Sequence, residues 1–195
     1  MMRVPAFQQA KGYDASVVAG EEPELCQRLR AAGWKIFRID AEMTLHDSAM
    51  LRFGQWWKRC VRSGYGGMDV FTRFGSQGLF QKQVASARWW GRDWPIVLLL
   101  ILLGPVVLWL GALDRIVNWK MRLTFEATIA LLWLSLLPLQ MLRIAVRSRQ
   151  RVGNWKTSIA YGFLTMIAKW ANLIGQRQYL RDRASGKIAR MIDYK

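Results

Sequence analysis

From Trp94 to Leu113 the chain reads WPIVLLLILLGPVVLWLGAL, 20 residues without a charge between Asp93 and Asp114. As a helix such a run is about 30 Å long, matching the hydrocarbon thickness of a bilayer, so it reads as a membrane span. A second uncharged run, Ala127 to Leu142, has 16 residues. It becomes long enough if Phe125 and Glu126 sit at one interface while Arg143 extends its charge to the other. Pro105 and Pro138 are compatible with spanning helices, because neighbouring groups in a membrane re-satisfy the carbonyls that proline frees. The two runs predict a transmembrane hairpin over 94–146.

Charge assigns the rest of the chain to different surroundings. The 195 residues carry a net charge of +16, yet residues 1–50 hold six Lys/Arg against seven Asp/Glu, while residues 51–195 hold 23 against six. A basic balance can serve nucleic acid or an anionic membrane surface. The cations here flank apolar runs, which favours membrane lipids and excludes a nucleic-acid partner. Lys82, Arg88 and Arg92 precede the first run, and Arg143, Arg147, Arg149, Arg151 and Lys156 follow the second, with Arg115, Lys120 and Arg122 between. Eight cations outside the hairpin against three within it predict that both termini are cytoplasmic. MMRVPAFQQAKGYD has no apolar core of a signal peptide, in line with that orientation.

Four segments follow. Residues 1–47 read as a small α+β region. Gly20, an acidic first turn with Pro23, and Leu25, Cys26 and Leu29 on one face predict a helix over 22–32 closed by Gly33. WKIFRI, Trp34 to Ile39, has strand composition. Residues 48–93 hold an interfacial helix over 49–63, in which Met50, Phe53, Trp57 and Val61 form an apolar stripe beside Arg52, Lys58, Arg59 and Arg62, then a Gly-rich connector over 64–83. GYGG is not bracketed by a strand and a helix and so is no phosphate loop. Beyond the hairpin, residues 147–195 supply a second helix, with Ile159, Phe163, Met166, Ile167, Trp170 and Leu173 at helical spacing, and a basic tail; Lys169 interrupts the apolar run, which favours an interfacial helix over the alternative of a third span. Cys26 and Cys60 read as small core hydrophobes.

The series GYDASVVAGEEPELCQRLRAAGWKIFRIDAEMTLHD, residues 12–47, resembles the C-terminal part of the catalytic domain of family-2 glycosyltransferases with the GT-A fold. Its matches are Gly12, Tyr13 and Asp14, then Gly20, Glu21 and Glu22, then Leu25, Arg28, Leu29, Gly33 and Trp34, and finally His46. The resemblance covers about 45 residues. It implies an α+β remnant of a GT-A domain followed by a mainly α membrane region with two transmembrane helices and interfacial helices, in a bacterial inner (cytoplasmic) membrane. Family members carry their nucleotide-binding βαβ units and metal-binding DxD upstream of these motifs, and residues 1–11 do not supply them. The expectation is a fragment, a truncated reading frame, or a chain completed by a complementing partner.

The resemblance also assigns roles. Glu22 takes the place of the family's catalytic base, usually Asp, and Glu21 and Asp14 belong to the supporting acidic motif. Inverting transfer from a nucleotide sugar needs such a carboxylate to accept the proton of the attacking acceptor hydroxyl. His46 falls where a ligand to a divalent metal, Mg²⁺ or Mn²⁺, is expected. The DAE of Asp40 and Glu42 lies after the acidic motif and is not the DxD. QWWKR, Gln55 to Arg59, lacks the spacing of the QxxRW motif of processive synthases, and Gln55, Trp56, Trp57 and Arg59 are expected at the acceptor entrance or the membrane interface. The implied function is a membrane-bound transferase acting on an envelope saccharide or lipid-linked acceptor. The alternative is a non-catalytic membrane scaffold or pseudoenzyme subunit.

Overall fold

A computed structural model describes residues 2–37, 39, 40, 50–109 and 119–186. The elements are α1 (Val4–Gln9), α2 (Glu21–Ala31), α3 (Phe53–Phe74), a 3-10 turn (Gly75–Gln77), α4 (Gln81–Arg88), a π-helical turn (Trp89–Asp93), α5 (Trp94–Trp109), α6 (Trp119–Val152) and α7 (Trp155–Ala184). The chain divides into two compact units, Met1–Ala85 with Ala171–Lys195, and Ser86–Trp170.

In the first unit α2 starts at Gly20, which takes the left-handed conformation (φ 91°), and its first turn holds Glu21, Glu22 and Glu24 at the positive end of the helix. Its end follows from Gly33, also left-handed at φ 86°. The Gly33 and Trp34 amides donate to the carbonyls of Arg30 and Leu29, both at 3.0 Å, closing the helix in a Schellman motif. Trp34 then packs with Phe7 on Ala6, Ala10, Leu25 and Leu29, the core between α1 and α2. Its indole N–H donates to Gln9 Oε1 at 2.8 Å.

These bonds correct the expected α+β remnant. No strand occurs among the described residues, and Trp34 to Phe37 have no regular structure. A strand is stable only beside another strand. Here Trp34 serves as the helix stop, and Ile36, Phe37 and Ile39 are 40, 80 and 61% exposed.

The second correction concerns α3. Instead of ending near residue 63 before a Gly-rich loop, the helix runs on to Phe74, and Gly64 to Val70 are all buried. The glycines are there for close approach. A Cβ on Gly64 would overlap the Asn172 backbone of α7, one on Gly175 would overlap the Val61 carbonyl of α3, and one on Gly66 would overlap the Ala19 backbone. Each helix thus offers a bare backbone at the crossing, as small residues do at tight helix contacts. Each interior glycine costs a helix about 1 kcal/mol relative to alanine, offset here by the contact it allows. Around the crossing Val18, Tyr65, Met68, Val84 and Tyr179 form the main core, with Phe71 and Phe80 packed on it.

In the second unit α6 and α7 meet at a turn over Gly153 and Asn154. Gly153 has φ 88°, and Asn154 Oδ1 accepts from the Thr157 amide at 2.8 Å as the α7 N-cap. Gly162 lies against the Met141 carbonyl, a second glycine-backed contact. Trp133 of α6 donates to the Trp94 carbonyl at 3.1 Å and meets Trp89 edge-on at 6.2 Å.

The expected pair of spans is also revised. Among the described residues one segment, Thr124–Val152 of α6, is long and apolar enough to cross a membrane, and only 11% of its apolar window is buried. Pro138 lies inside it without ending the helix. The first run forms α5 over Trp94–Trp109. Residues 110–113 of that run lie outside the described residues.

The glycine contacts give a paired prediction. Gly175→Ala should destabilise the first unit by about 1–3 kcal/mol through overpacking. Gly54→Ala, on α3 with nothing within 4 Å of the new Cβ, should stabilise it by about 0.5–1 kcal/mol. Thermal unfolding in detergent, followed by circular dichroism, reads both.

Candidate functional site

The acidic turn of α2 separates into committed and open carboxylates. Glu24 is 2% exposed and forms a two-point pair with Arg28 one turn on, Oε1 to Nε at 2.7 Å and Oε2 to Nη2 at 2.6 Å. Arg28 also donates to the carbonyls of Ala10 and of Gly12, the latter at 2.7 Å, and so ties the segment after α1 to α2. Bonding to Glu24 holds its guanidinium pKa above the usual value. Glu22 is exposed and Glu21 half-buried. Neither has a hydrogen bond or ion pair among the described residues.

Asp14 lies elsewhere in the unit, in a second network. Its Oδ1 accepts from the Ser16 hydroxyl at 2.6 Å and the Ser16 amide at 2.8 Å, and its Oδ2 pairs with Arg73 at 2.8 Å. The Ser16 bonds, with help from Arg73, hold its pKa below the ordinary 3.8. Arg73 also bonds the nearly buried Asp69 through Nε at 2.8 Å. Asp69 in turn accepts from the Tyr179 hydroxyl at 3.2 Å, which itself accepts from Arg183 at 3.2 Å. Tyr65 meets Tyr179 edge-on at 5.3 Å. Burial, with the negative charge of Asp182 beside it, pushes the Tyr65 phenol up to about 12. Beside this network Met68, Phe71, Arg73, Gln81, Leu180 and Arg183 line an open cleft of 620 Å³.

The other expected site residues are dispersed. Gln55 Oε1 accepts from the Arg52 amide at 3.2 Å, the N3 half of a capping box whose N-cap residue is Arg52. Trp56 and Trp57 are half-buried and lie 5.2 and 6.0 Å from the Phe53 ring. Arg59 is exposed, its Nη1 3.9 Å from Met50 Sδ. Asp40 is exposed, while His46 and Glu42 lie outside the described residues. Cys26 and Cys60 are both free and half-buried, and burial raises the Cys60 thiol pKa.

The structure therefore places Asp14 with Arg73 and leaves Glu21 and Glu22 apart on the α2 turn. Glu24, Asp69, Arg73, Tyr179 and Arg183 were not among the expected site residues. Glu24 with Arg28 and Asp69 with Arg73 carry a local signal, the i,i+4 spacing of opposite charges. The 110-residue separation of Asp69 and Tyr179 carries none. Asp14 and Asp69 are not open to a divalent ion: both Asp14 oxygens are committed, and Asp69 is buried against Arg73 and Tyr179; no cluster of three or more His, Cys, Asp or Glu occurs among the described residues. The chain matches no family model, no curated protein and no solved structure.

Two outcomes follow for the network. Arg73→Gln leaves Asp69 buried with a phenol as its remaining partner and should cost about 1–3 kcal/mol, less than the roughly 3–5 kcal/mol of a fully buried pair because Arg73 is itself 32% exposed. The lowered Asp14 pKa makes its contribution fully present above the unfolded value of 3.8, to be lost as pH falls below that. The raised Tyr65 pKa makes the opposite contribution, present below 10 and lost as pH climbs toward 12. Stability of the purified chain across pH should fall at both ends, and Asp14→Asn should flatten the acid limb only.

Proposed function

We propose that the chain is the helical, acceptor-side and membrane-attaching portion of a family-2-type inverting glycosyltransferase of the bacterial cytoplasmic membrane. The observation that carries this reading is the split within the α2 turn. Glu24 is consumed by Arg28, whereas Glu22 is an exposed carboxylate at a rigidly stopped helix, free to accept a proton. Its role is to take the proton of an acceptor hydroxyl as that oxygen attacks the anomeric carbon of a nucleotide sugar and the nucleotide leaves from the opposite face. Positioning of the carboxylate against the acceptor hydroxyl carries the catalysis. The acceptor is an envelope saccharide or lipid-linked sugar. The chemistry proposed here is routed through Glu22 alone.

A second reading, a non-catalytic membrane subunit, is favoured by one observation. Asp14, part of the acidic motif, is bound to Arg73 and Ser16 as a structural link.

The two separate on one substitution. In membranes where the chain is combined with a donor-binding catalytic partner, Glu22→Gln should lower transfer from the nucleotide sugar by about 10²–10⁴-fold, the usual worth of a general base. Donor binding and the thermal stability of the first unit should be unchanged. Unaltered turnover would assign the chain to the non-catalytic reading. Glu24→Gln should instead lower stability, measured in the same unfolding assay.

A further inference from the structure

The geometry points to the N-terminal half of α3 as a docking surface for an anionic bilayer, lying flat at the headgroup level. Phe53, Trp56, Trp57 and Cys60 follow one another at i, i+3, i+4 and i+7, so they share a face; Arg52 and Arg59 flank one edge of it, while Lys58 and Arg62 lie on the other side. The helix changes character along its length. From Gly64 to Val70 every residue is buried, but Phe53 is 60% exposed and Leu51, just before the helix, is 91% exposed. An aromatic cluster at the start of a helix is thus only partly covered by protein, with Phe53 exposed and Trp56 and Trp57 half-buried.

Charge selects the occupant. Between Met50 and Met68 there are four cations, Arg52, Lys58, Arg59 and Arg62, and no Asp or Glu. Arg62 donates to the Val18 carbonyl at 2.8 Å and pins the helix to its own unit. Arg52 and Arg59 are exposed at the edge of the aromatic cluster, and Lys58 is exposed on the far side of the helix, within a Debye length of the same surface. Indole rings favour the headgroup layer, and flanking cations meet lipid phosphates there. Each cation near an anionic surface adds about a factor of five to the docked population. An acidic protein surface would satisfy the cations but not the exposed rings, and a second copy of this face would oppose like charges. The surface does not depend on the transfer chemistry proposed above.

The test uses the full chain in nanodiscs, with a nitroxide at Leu51→Cys in a Cys26→Ser, Cys60→Ser background. Power-saturation spectroscopy compares collision of the label with oxygen and with a water-soluble nickel chelate, and the same label at Gln77→Cys serves as a water-exposed control. In discs containing phosphatidylglycerol the residue-51 label should be oxygen-accessible and shielded from nickel. Replacing Arg52, Lys58 and Arg59 by Gln should lower the docked-to-undocked ratio roughly 100-fold. Pure phosphatidylcholine discs should reproduce that loss. A residue-51 label as open to nickel as the control in anionic discs would overturn the inference. Equal shielding in anionic discs, zwitterionic discs and detergent would also overturn it, since protein would then be the cover, and spin–spin distances between labels would identify a second copy.

Discussion

The contact on which the first unit depends is the glycine-backed crossing of α3 and α7. Gly64 faces the Asn172 backbone, and Gly175 faces Val61 and Tyr65. Side chains at either glycine would hold the helices apart, and the layers built on the crossing would lose their register. Dispersion between two bare backbones is weak per atom, but close approach lets the flanking side chains interdigitate. Val18, Met68, Val84 and the Tyr65–Tyr179 pair fill that space.

The polar network depends on the same crossing. Asp69 is 4% exposed, and a carboxylate so placed needs its charge matched and its oxygens bonded. Arg73 matches it from one turn along α3, and Tyr179 reaches it from α7 because the helices are close. Arg73 then extends outward to Asp14 and Ser16, which fastens the segment ahead of α2 to the same helix. Arg62 adds a second tie through the Val18 carbonyl. Loop 13–18 is thus ordered by two arginines of α3, and α2 begins directly beyond it.

Much of α2 was legible in the sequence, because its signals are local. Acid at the start, Leu25 and Leu29 on one face and Gly33 at the end each act within a turn or two, and the helix found spans Glu21–Ala31. The apolar length of α6 was legible for the same reason. The strand over Trp34 to Ile39 was misread because β-branched and aromatic composition describes fit to a sheet, and no strand is present among the described residues to form one. The Gly-rich stretch after residue 63 was misread because glycine has two uses. It breaks an isolated helix, yet it is required where another backbone comes close, and that partner lies over a hundred residues away at Asn172. The Asp69–Tyr179 link was hidden for the same reason of separation.

The acidic turn of α2 shows how neighbouring residues of one type acquire different chemistry from their helical phase. Glu24 points inward, loses its water and is bound by Arg28, whose other nitrogens hold the Ala10 and Gly12 carbonyls. Its charge is spent on fixing the helix to the segment before it. Glu22, two residues earlier, lies nearly on the opposite side of the helix and remains exposed. Glu24 thus holds in place the turn from which Glu22 projects, and the rigidity that a positioned base requires comes from its buried neighbour. A change at Glu24 therefore acts on any chemistry of Glu22 through the scaffold, whereas a change at Glu22 leaves the scaffold as it is.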